Sequence, residues 1–99
     1  MAKYYLTNKA VTDLSDIWSY TVARWSERQA DFYYEMLIGF CRDIANNPTL
    51  GKNYNKIAEN LYGFRANKHI IFYRTISQDE VEIVRILHGN MDLKNRIRE

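Results

Sequence analysis

The spacing of the apolar residues changes once along the chain, and this change most constrains the fold. Up to Asn47 the apolar residues recur every three or four positions, which is the repeat of an amphipathic helix. From Leu61 onward they form short runs rich in Ile, Val, Phe and Tyr, separated by turn-forming residues, as in β-strands. The chain is therefore predicted to be an α+β protein, with helices first and most of its sheet second.

Capping signals delimit two helices in the first part. Thr7 or Asn8 is predicted to cap the first helix, whose single apolar stripe leaves Asp13 turned away from the core. Ser26 begins a capping box at the start of the second helix, which Pro48 ends. Because almost no residues separate them, the helices are predicted to form an antiparallel hairpin. The predicted core positions are Ala10, Leu14, Ile17, Trp18, Thr21 and Trp25 in the first helix and Ala30, Tyr33, Tyr34, Leu37, Phe40, Cys41 and Ile44 in the second.

Three consecutive strands are predicted in the second part, after an irregular polar stretch. Their ranges are Leu61–Ala66, Lys68–Ile76 and Glu80–Leu87, and the short connections between them indicate an antiparallel meander. A short strand is also predicted at Tyr4–Thr7. The helical hairpin is expected to pack on one face of this mostly antiparallel sheet, and 99 residues suit a single domain spanning 1–99.

Several functional classes are disfavoured by composition. The single Cys41 excludes an intramolecular disulfide or a cysteine-ligated zinc site within one chain, and it fits a cytoplasmic protein. No apolar run approaches the roughly 20 residues that span a bilayer, and the first residues lack the apolar region of a signal peptide. No glycine-rich phosphate loop is present, and no cofactor is expected. No metal is expected either, because the two histidines lack carboxylates at a matching spacing.

A local excess of basic residues is the main electrostatic feature. Between residues 51 and 76 only Glu59 opposes the basic side chains, which are Lys52, Lys56, Arg65, Lys68 and Arg74. Arg74 and Arg85 lie among apolar neighbours of predicted strands, where a permanently charged guanidinium needs a partner. Either arginine could pair with an acidic side chain of this chain, or it could lie on an open sheet face and bind a phosphate or a partner's carboxylate.

Residue types for metal-free cleavage of RNA are also present. Such cleavage needs a base, an acid and a cation beside the phosphate. Two histidines, His69 and His88, and Tyr73 could move protons, and Lys68, Arg74 and Arg85 could bind the phosphate. A histidine at a strand end is more often a hydrogen-bonded structural residue, so residue type alone does not establish this activity.

The order of four segments resembles the ParE branch of the RelE/ParE toxin superfamily. They read LTNKAVTDLSDIWSYTVARWSERQA, NNPTLGK, HIIFYR and VEIVRILHGNMD, and the resemblance extends from about Tyr5 to Leu93. It implies a toxin of a type II toxin–antitoxin pair, neutralised by a ParD-like antitoxin whose disordered segment folds along the toxin. ParE-type toxins are associated with inhibition of DNA gyrase, whereas their RelE relatives share the fold and cut messenger RNA on the ribosome.

The positions that match the family and the local basic surface together predict which residues contact the antitoxin or the target. These are Arg65, Lys68, Tyr73, Arg74, Arg85, Asn90 and Asp92, with Arg74, Arg85 and His88 as the catalytic set if the protein is a ribonuclease. Asn90 departs from the family, which commonly has arginine at that position. Residues 92–99 contain neither the Tyr nor the His that ribonuclease relatives tend to place there. A toxin without catalysis of its own, and without direct nucleic-acid binding, is therefore the favoured interpretation.

Overall fold

The computed structural model describes residues 2–99, and within them it confirms the α+β fold. The elements in chain order are β1 (Lys3–Leu6), α1 (Asn8–Arg24), α2 (Glu27–Asn46), a 3-10 turn (Pro48–Leu50), β2 (Lys52–Asn53), β3 (Tyr62–Ala66), β4 (His69–Ser77), β5 (Glu80–His88) and α3 (Leu93–Arg98). Strand β2 and helix α3 were not predicted, and the structure has connecting segments at Thr7, Leu61 and Lys68, which were predicted to lie in strands. None of the helices in residues 2–99 is long and apolar enough to cross a membrane.

The predicted caps begin both long helices. The hydroxyl of Thr7 accepts a hydrogen bond from the backbone N–H of Ala10 at 3.0 Å, so Thr7 rather than Asn8 caps α1. Ser26 accepts from the N–H of Gln29 at 3.0 Å and caps α2. With Trp25 as the only other residue between them, the helices fold back on one another as predicted.

The five strands form one sheet in the order β1-β5-β4-β3-β2. The predicted meander is present as antiparallel pairs of β3 with β4 and of β4 with β5, while β1 joins the far edge parallel to β5. The register shifts after the pair Phe72–Arg85, because Tyr73 next pairs with Ile83. This bulge leaves Val84 without an opposite residue, so Ile83 and Ile86 pack in the same core cluster. The simple alternation predicted for β5 is therefore wrong at Ile83 and Val84.

Each face of the sheet has its own core. The face towards α1 and α2 carries the larger cluster, which includes Leu37, Ile71 and Ile86. On the opposite face a smaller cluster, formed by Leu61, Ile70, Phe72 and Leu87, lies under the 54–58 segment and α3. Burial of these side chains is the main stabilising term of such a fold.

Three predicted burial states in the helical hairpin are wrong. Asp13, predicted to face solvent, is only 9% exposed, whereas Trp25 and Tyr34, predicted to be core residues, are 73% and 38% exposed. Trp25 is the C-cap of α1, where the chain leaves the helix and the helical repeat no longer fixes its direction. Asp13 is buried because it faces the edge of β5, which the periodicity of one helix does not reveal.

Candidate functional site

A buried ion pair joins the first helix to the last strand. Nε of Arg85 donates to Oδ2 of Asp13 at 2.8 Å, and Nη2 donates to Oδ1 at 2.9 Å, which is the bidentate geometry of strong arginine–carboxylate pairs. Arg85 is 8% exposed. Of the two roles left open for this arginine, the structure therefore shows pairing with an acidic side chain of the same chain.

Asp13 also completes the exposed edge of β5. Strand β1 pairs with residues 80–83 only, so the later part of β5 lacks a strand neighbour on that side. There Oδ2 of Asp13 accepts from the backbone N–H of Ile86 at 3.0 Å, and the hydroxyl of Thr7 donates to the carbonyl of Val84 at 2.7 Å. The start of α1 thus takes the place of an absent strand in satisfying backbone groups.

The segment after β5 engages the remaining side of Arg85. Its Nη1 donates to the carbonyl of Arg96 at 2.7 Å and lies 3.7 Å from Oε1 of Glu99. Nζ of Lys9 donates to the carbonyl of Glu99. Donation to the Asp13 carboxylate raises the pKa of Arg85, and the charged guanidinium directs its donors at internal acceptors.

Beside this ion pair lies a cleft of about 430 Å³ between α1, the adjacent ends of β4 and β5, and the C-terminal segment. The lining of this cleft includes Lys9, Asp16, His69, His88, Arg96 and Glu99. His69 and His88 are paired across the strands, with ring centroids 5.3 Å apart and an interplanar angle of 78°. The structure therefore brings together the two histidines that the sequence placed on separate strands. No group of three or more His, Cys, Asp or Glu in residues 2–99 forms a candidate metal site.

The two imidazoles have different surroundings. Nδ1 of His69 lies 2.6 Å from the hydroxyl of Tyr33. Burial, and to a lesser extent the neighbouring His88, lowers the pKa of His69 to about 4, although Asp13 acts in the opposite direction. His69 is therefore neutral at physiological pH. His88 is held by the backbone N–H of Asn90, which donates to its Nδ1 at 3.1 Å.

Acidification is expected to destabilise the protein through His69. Its pKa of about 4 in the folded state lies below the ordinary 6.5, so the unfolded chain binds this proton more tightly. The contribution of neutral His69 to the free energy of unfolding is fully present above pH 6.5 and is lost as the pH falls towards the folded-state pKa of about 4. Between about pH 7.5 and pH 5 the expected loss is about 2 kcal/mol. Urea unfolding at both pH values measures it. An equally large difference in His69→Asn would contradict the assignment to this histidine.

The predicted basic residues lie apart from the ion pair. Arg65 is exposed, and its guanidinium passes so close to Gly89 that a Cβ there would lie 3.0 Å from Nη1. Lys68 is exposed in the turn between β3 and β4, and Arg74 is half-buried opposite Glu82 of β5. Arg65 and Lys68 are thus open to a partner, whereas Arg74 has an acidic neighbour across the strand pair.

The other predicted contact residues divide into buried and exposed positions. The side chain of Tyr73 has no exposed surface; its hydroxyl donates to the carbonyl of Pro48 at 2.6 Å and accepts from the N–H of Gly51 at 2.9 Å. Tyr73 therefore links the loop after α2 to the sheet instead of facing a partner. Asn90 and Asp92 are exposed, and Asp92 caps α3 by accepting from the N–H of Asn95 at 3.4 Å.

Asp13 and Tyr33 are the site residues that sequence reasoning missed. A signal for Asp13 was present, because a charged arginine within an apolar strand requires an acidic partner. The sequence offers several carboxylates, and only the fold selects Asp13 among them. Tyr33 was predicted as a core residue, and the structure adds that its hydroxyl holds His69.

Comparison with known proteins identifies the family. The family model described as "ParE toxin of type II toxin-antitoxin system, parDE" matches residues 4–93. The chain is 33% identical over 94 residues to Toxin ParE1 of Caulobacter vibrioides, covering 95% of this chain and 96% of that protein. It is 30% identical over 96 residues to Toxin ParE1 of Mycobacterium tuberculosis, with 97% of this chain and 98% of that protein covered.

Solved structures support the same fold. One is the chromosomal ParDE toxin–antitoxin system from P. aeruginosa, with a TM-score of 0.75 at 17% identity, covering 89% of this chain and 96% of that one. Another is the toxin–antitoxin complex RelBE2 from Mycobacterium tuberculosis, with a TM-score of 0.63 at 19% identity, covering 88% and 96% of the two chains. Since the family model spans nearly the whole chain, this protein belongs to the ParE toxin family of type II toxin–antitoxin systems.

Proposed function

We propose that this ParE-type toxin is held inactive by a ParD-like antitoxin and arrests growth by inhibiting DNA gyrase without catalysing a reaction itself. Its similarity to two ParE1 toxins along almost their whole length supports the toxin role. A toxin directed at gyrase acts in the cytoplasm, and that location is part of the proposal.

The antitoxin partner is supported by the exposed surface. Arg65 and Lys68 present positive charge beside the β3–β4 turn. Exposed apolar side chains elsewhere, such as Ile76 at 56% and Leu50 at 43%, offer contacts that a partner can bury. An acidic, amphipathic segment that folds as it binds fits this combination of charge and apolar surface. The two solved structures described above are toxin–antitoxin systems, which agrees with such a partner.

The hydrogen bonds of Arg85 are the main observation in favour of a toxin without catalytic activity. A metal-free ribonuclease needs a cation directed at the phosphate whose charge grows during cleavage. Arg85 instead donates to Asp13 from two of its nitrogens and to the carbonyl of Arg96 from the third. The segment that follows, residues 92–99, contains no Tyr or His to serve as acid or base. Binding to the target, rather than chemistry, is the function that fits this arrangement.

Purified gyrase provides the test. The toxin is expected to inhibit supercoiling of relaxed plasmid and to accumulate cleaved DNA, and an equimolar ParD-like antitoxin is expected to restore supercoiling. An Arg65→Glu toxin should need more antitoxin for the same recovery, about tenfold, because a charge at the rim of the complex is reversed. Unchanged supercoiling at a large excess of folded toxin would refute gyrase as the target.

A ribosome-dependent messenger RNA endonuclease of RelE type is the alternative. The cleft with His69 and His88 favours it, because two imidazoles are a common acid–base pair. Its test is a translating extract in which the toxin is compared with His88→Ala. Cuts positioned by codon in the presence of the toxin, and lost in the variant, would favour the endonuclease over the gyrase inhibitor.

A further inference from the structure

Hydrogen bonds determine which nitrogen of each cleft histidine carries the proton. The hydroxyl of Tyr33 lies 2.6 Å from Nδ1 of His69. Because phenol is the stronger acid of the two groups and imidazole the stronger base, we assign the phenolic proton as the donor and Nδ1 as the acceptor. A neutral imidazole that accepts at Nδ1 carries its proton on Nε2. His69 therefore has Nε2–H as its remaining donor.

The same reasoning applies to His88 from an independent contact. The backbone N–H of Asn90 donates to Nδ1 of His88 at 3.1 Å. A backbone N–H can only donate, so Nδ1 of His88 is an acceptor and the ring proton lies on Nε2. The cleft is thus lined by two neighbouring imidazoles that both have Nε2–H available and no acceptor there among the hydrogen bonds of the described residues.

Two adjacent donors of this kind fit a group with two acceptor oxygens. We propose that the cleft binds a carboxylate, which accepts hydrogen bonds from Nε2–H of both His69 and His88. Lys9 and Arg96 also line the cleft and add positive charge near its opening. The ion pair of Asp13 with Arg85 contributes little net charge, because its two members neutralise one another.

Charge and hydrogen-bonding capacity decide between a carboxylate and a phosphate. Asp16 and Glu99 line the same space, and each repels an anion in proportion to that anion's charge. A carboxylate carries one negative charge, whereas inorganic phosphate carries between one and two at neutral pH. Lys9 and Arg96 offset Asp16 and Glu99, so desolvation distinguishes the two anions. A carboxylate has the smaller charge to remove from water and one oxygen for each imidazole donor, whereas a phosphate brings oxygens that these two donors leave unpaired.

An acidic side chain of the antitoxin is the source of this carboxylate that fits best. This identification rests on the proposed function, because it requires a protein partner that covers the cleft. Carboxylate binding by the cleft does not depend on the proposed function. An aspartate or glutamate in a segment that folds onto the toxin would be presented to the cleft with little loss of freedom. The isolated toxin can be tested without the antitoxin.

Nuclear magnetic resonance of the 15N-labelled toxin tests the site directly at about pH 7.5. The ring nitrogens of His69 and His88 are expected to show Nε2–H in both residues before any ligand is added. Titration with sodium acetate is then expected to shift both sets of ring signals with one saturable curve. Sodium chloride at matched ionic strength is the control for screening. Detection of Nδ1–H in either histidine of the free protein would overturn the proposal.

Three variants separate binding from folding. His88→Phe should weaken acetate binding about fivefold, which is the worth of one hydrogen bond, while the signals of His69 report that the fold is intact. Asp16→Asn should strengthen binding about twofold because it removes a repelling charge, and Glu35→Gln, exposed on α2, should leave it unchanged. Equal acetate affinity in His88→Phe and the unaltered toxin would overturn the site.

Inorganic phosphate distinguishes the two oxyanions. Phosphate is expected to bind more weakly than acetate, and phosphate binding as tight as acetate binding would refute the choice of a carboxylate.

Finally, the antitoxin is expected to shift the same ring signals and to displace acetate. If acetate binds and the antitoxin leaves these signals unmoved, the antitoxin as source is refuted. That result would not refute gyrase as the target, which the supercoiling assay tests separately.

Discussion

Asp13→Ala is expected to lower the free energy of unfolding by about 3 kcal/mol, because it leaves a buried charge unpaired. Arg85, 8% exposed, would lose two of its hydrogen bonds, and the backbone N–H of Ile86 would lose its acceptor. Neither group can reach water easily in the folded protein. Urea unfolding followed by circular dichroism measures the change, with the slope against urea used to verify two-state behaviour.

The matched control for this variant is Asp16→Ala, which removes an exposed carboxylate from the same helix and should change the stability by less than about 0.5 kcal/mol. A second control replaces both partners. Asp13→Leu with Arg85→Met should be more stable than Asp13→Ala, because no unpaired charge remains buried. A loss below about 1 kcal/mol in Asp13→Ala would show that the ion pair does not hold α1 against β5.

Gly51→Ala is expected to lower the free energy of unfolding by about 3 kcal/mol, because the added methyl group collides with neighbouring atoms. A Cβ at this position would lie 2.5 Å from the hydroxyl of Tyr73 and 2.9 Å from the carbonyl oxygen of Gly63. Tyr73 cannot easily move, because its hydroxyl forms hydrogen bonds with the backbone of Pro48 and Gly51 and its ring is fully buried. The expected loss is at the upper end of the range for overpacking, and thermal unfolding measures it.

Gly39→Ala supplies the opposite control. Gly39 lies inside α2, and a Cβ there would meet no atom within 4 Å. The substitution should stabilise the protein by about 0.5–1 kcal/mol, because alanine is the better helix former. If Gly51→Ala were as stable as Gly39→Ala, the close approach of the loop to Tyr73 would not be a packing constraint.

The fold was largely predictable because local signals and the global arrangement agree. The apolar stripes and the capping residues Thr7 and Ser26 identified both long helices, and short polar turns identified the meander. Strand β2 was missed because two residues carry no periodicity, and α3 because its burial depends on the sheet beneath it. The capping sequence from Asp92 to Asn95 was the available signal for α3.

The site was less predictable than the fold, because it depends on contacts between distant parts of the chain. Alternation along β5 placed Arg85 and His88 on opposite faces, and the register after the bulge keeps them so, yet both line one cleft. Arg85 reaches this cleft around the open edge of the strand, where Asp13 receives it. The residue pattern of a single strand cannot predict which helix lies beside the edge of that strand.

The parallel pairing of β1 with β5 has a consequence for how the toxin is made. Residues 3–6 pair with residues 80–83, and the Asp13–Arg85 bond spans 72 positions of the sequence. During synthesis the helical hairpin emerges first, and its partner strand emerges only when most of the chain has been translated. Contacts between such distant residues also form slowly. Until β5 has been synthesised, β1 therefore lacks its strand partner and Asp13 in α1 lacks the arginine that it binds.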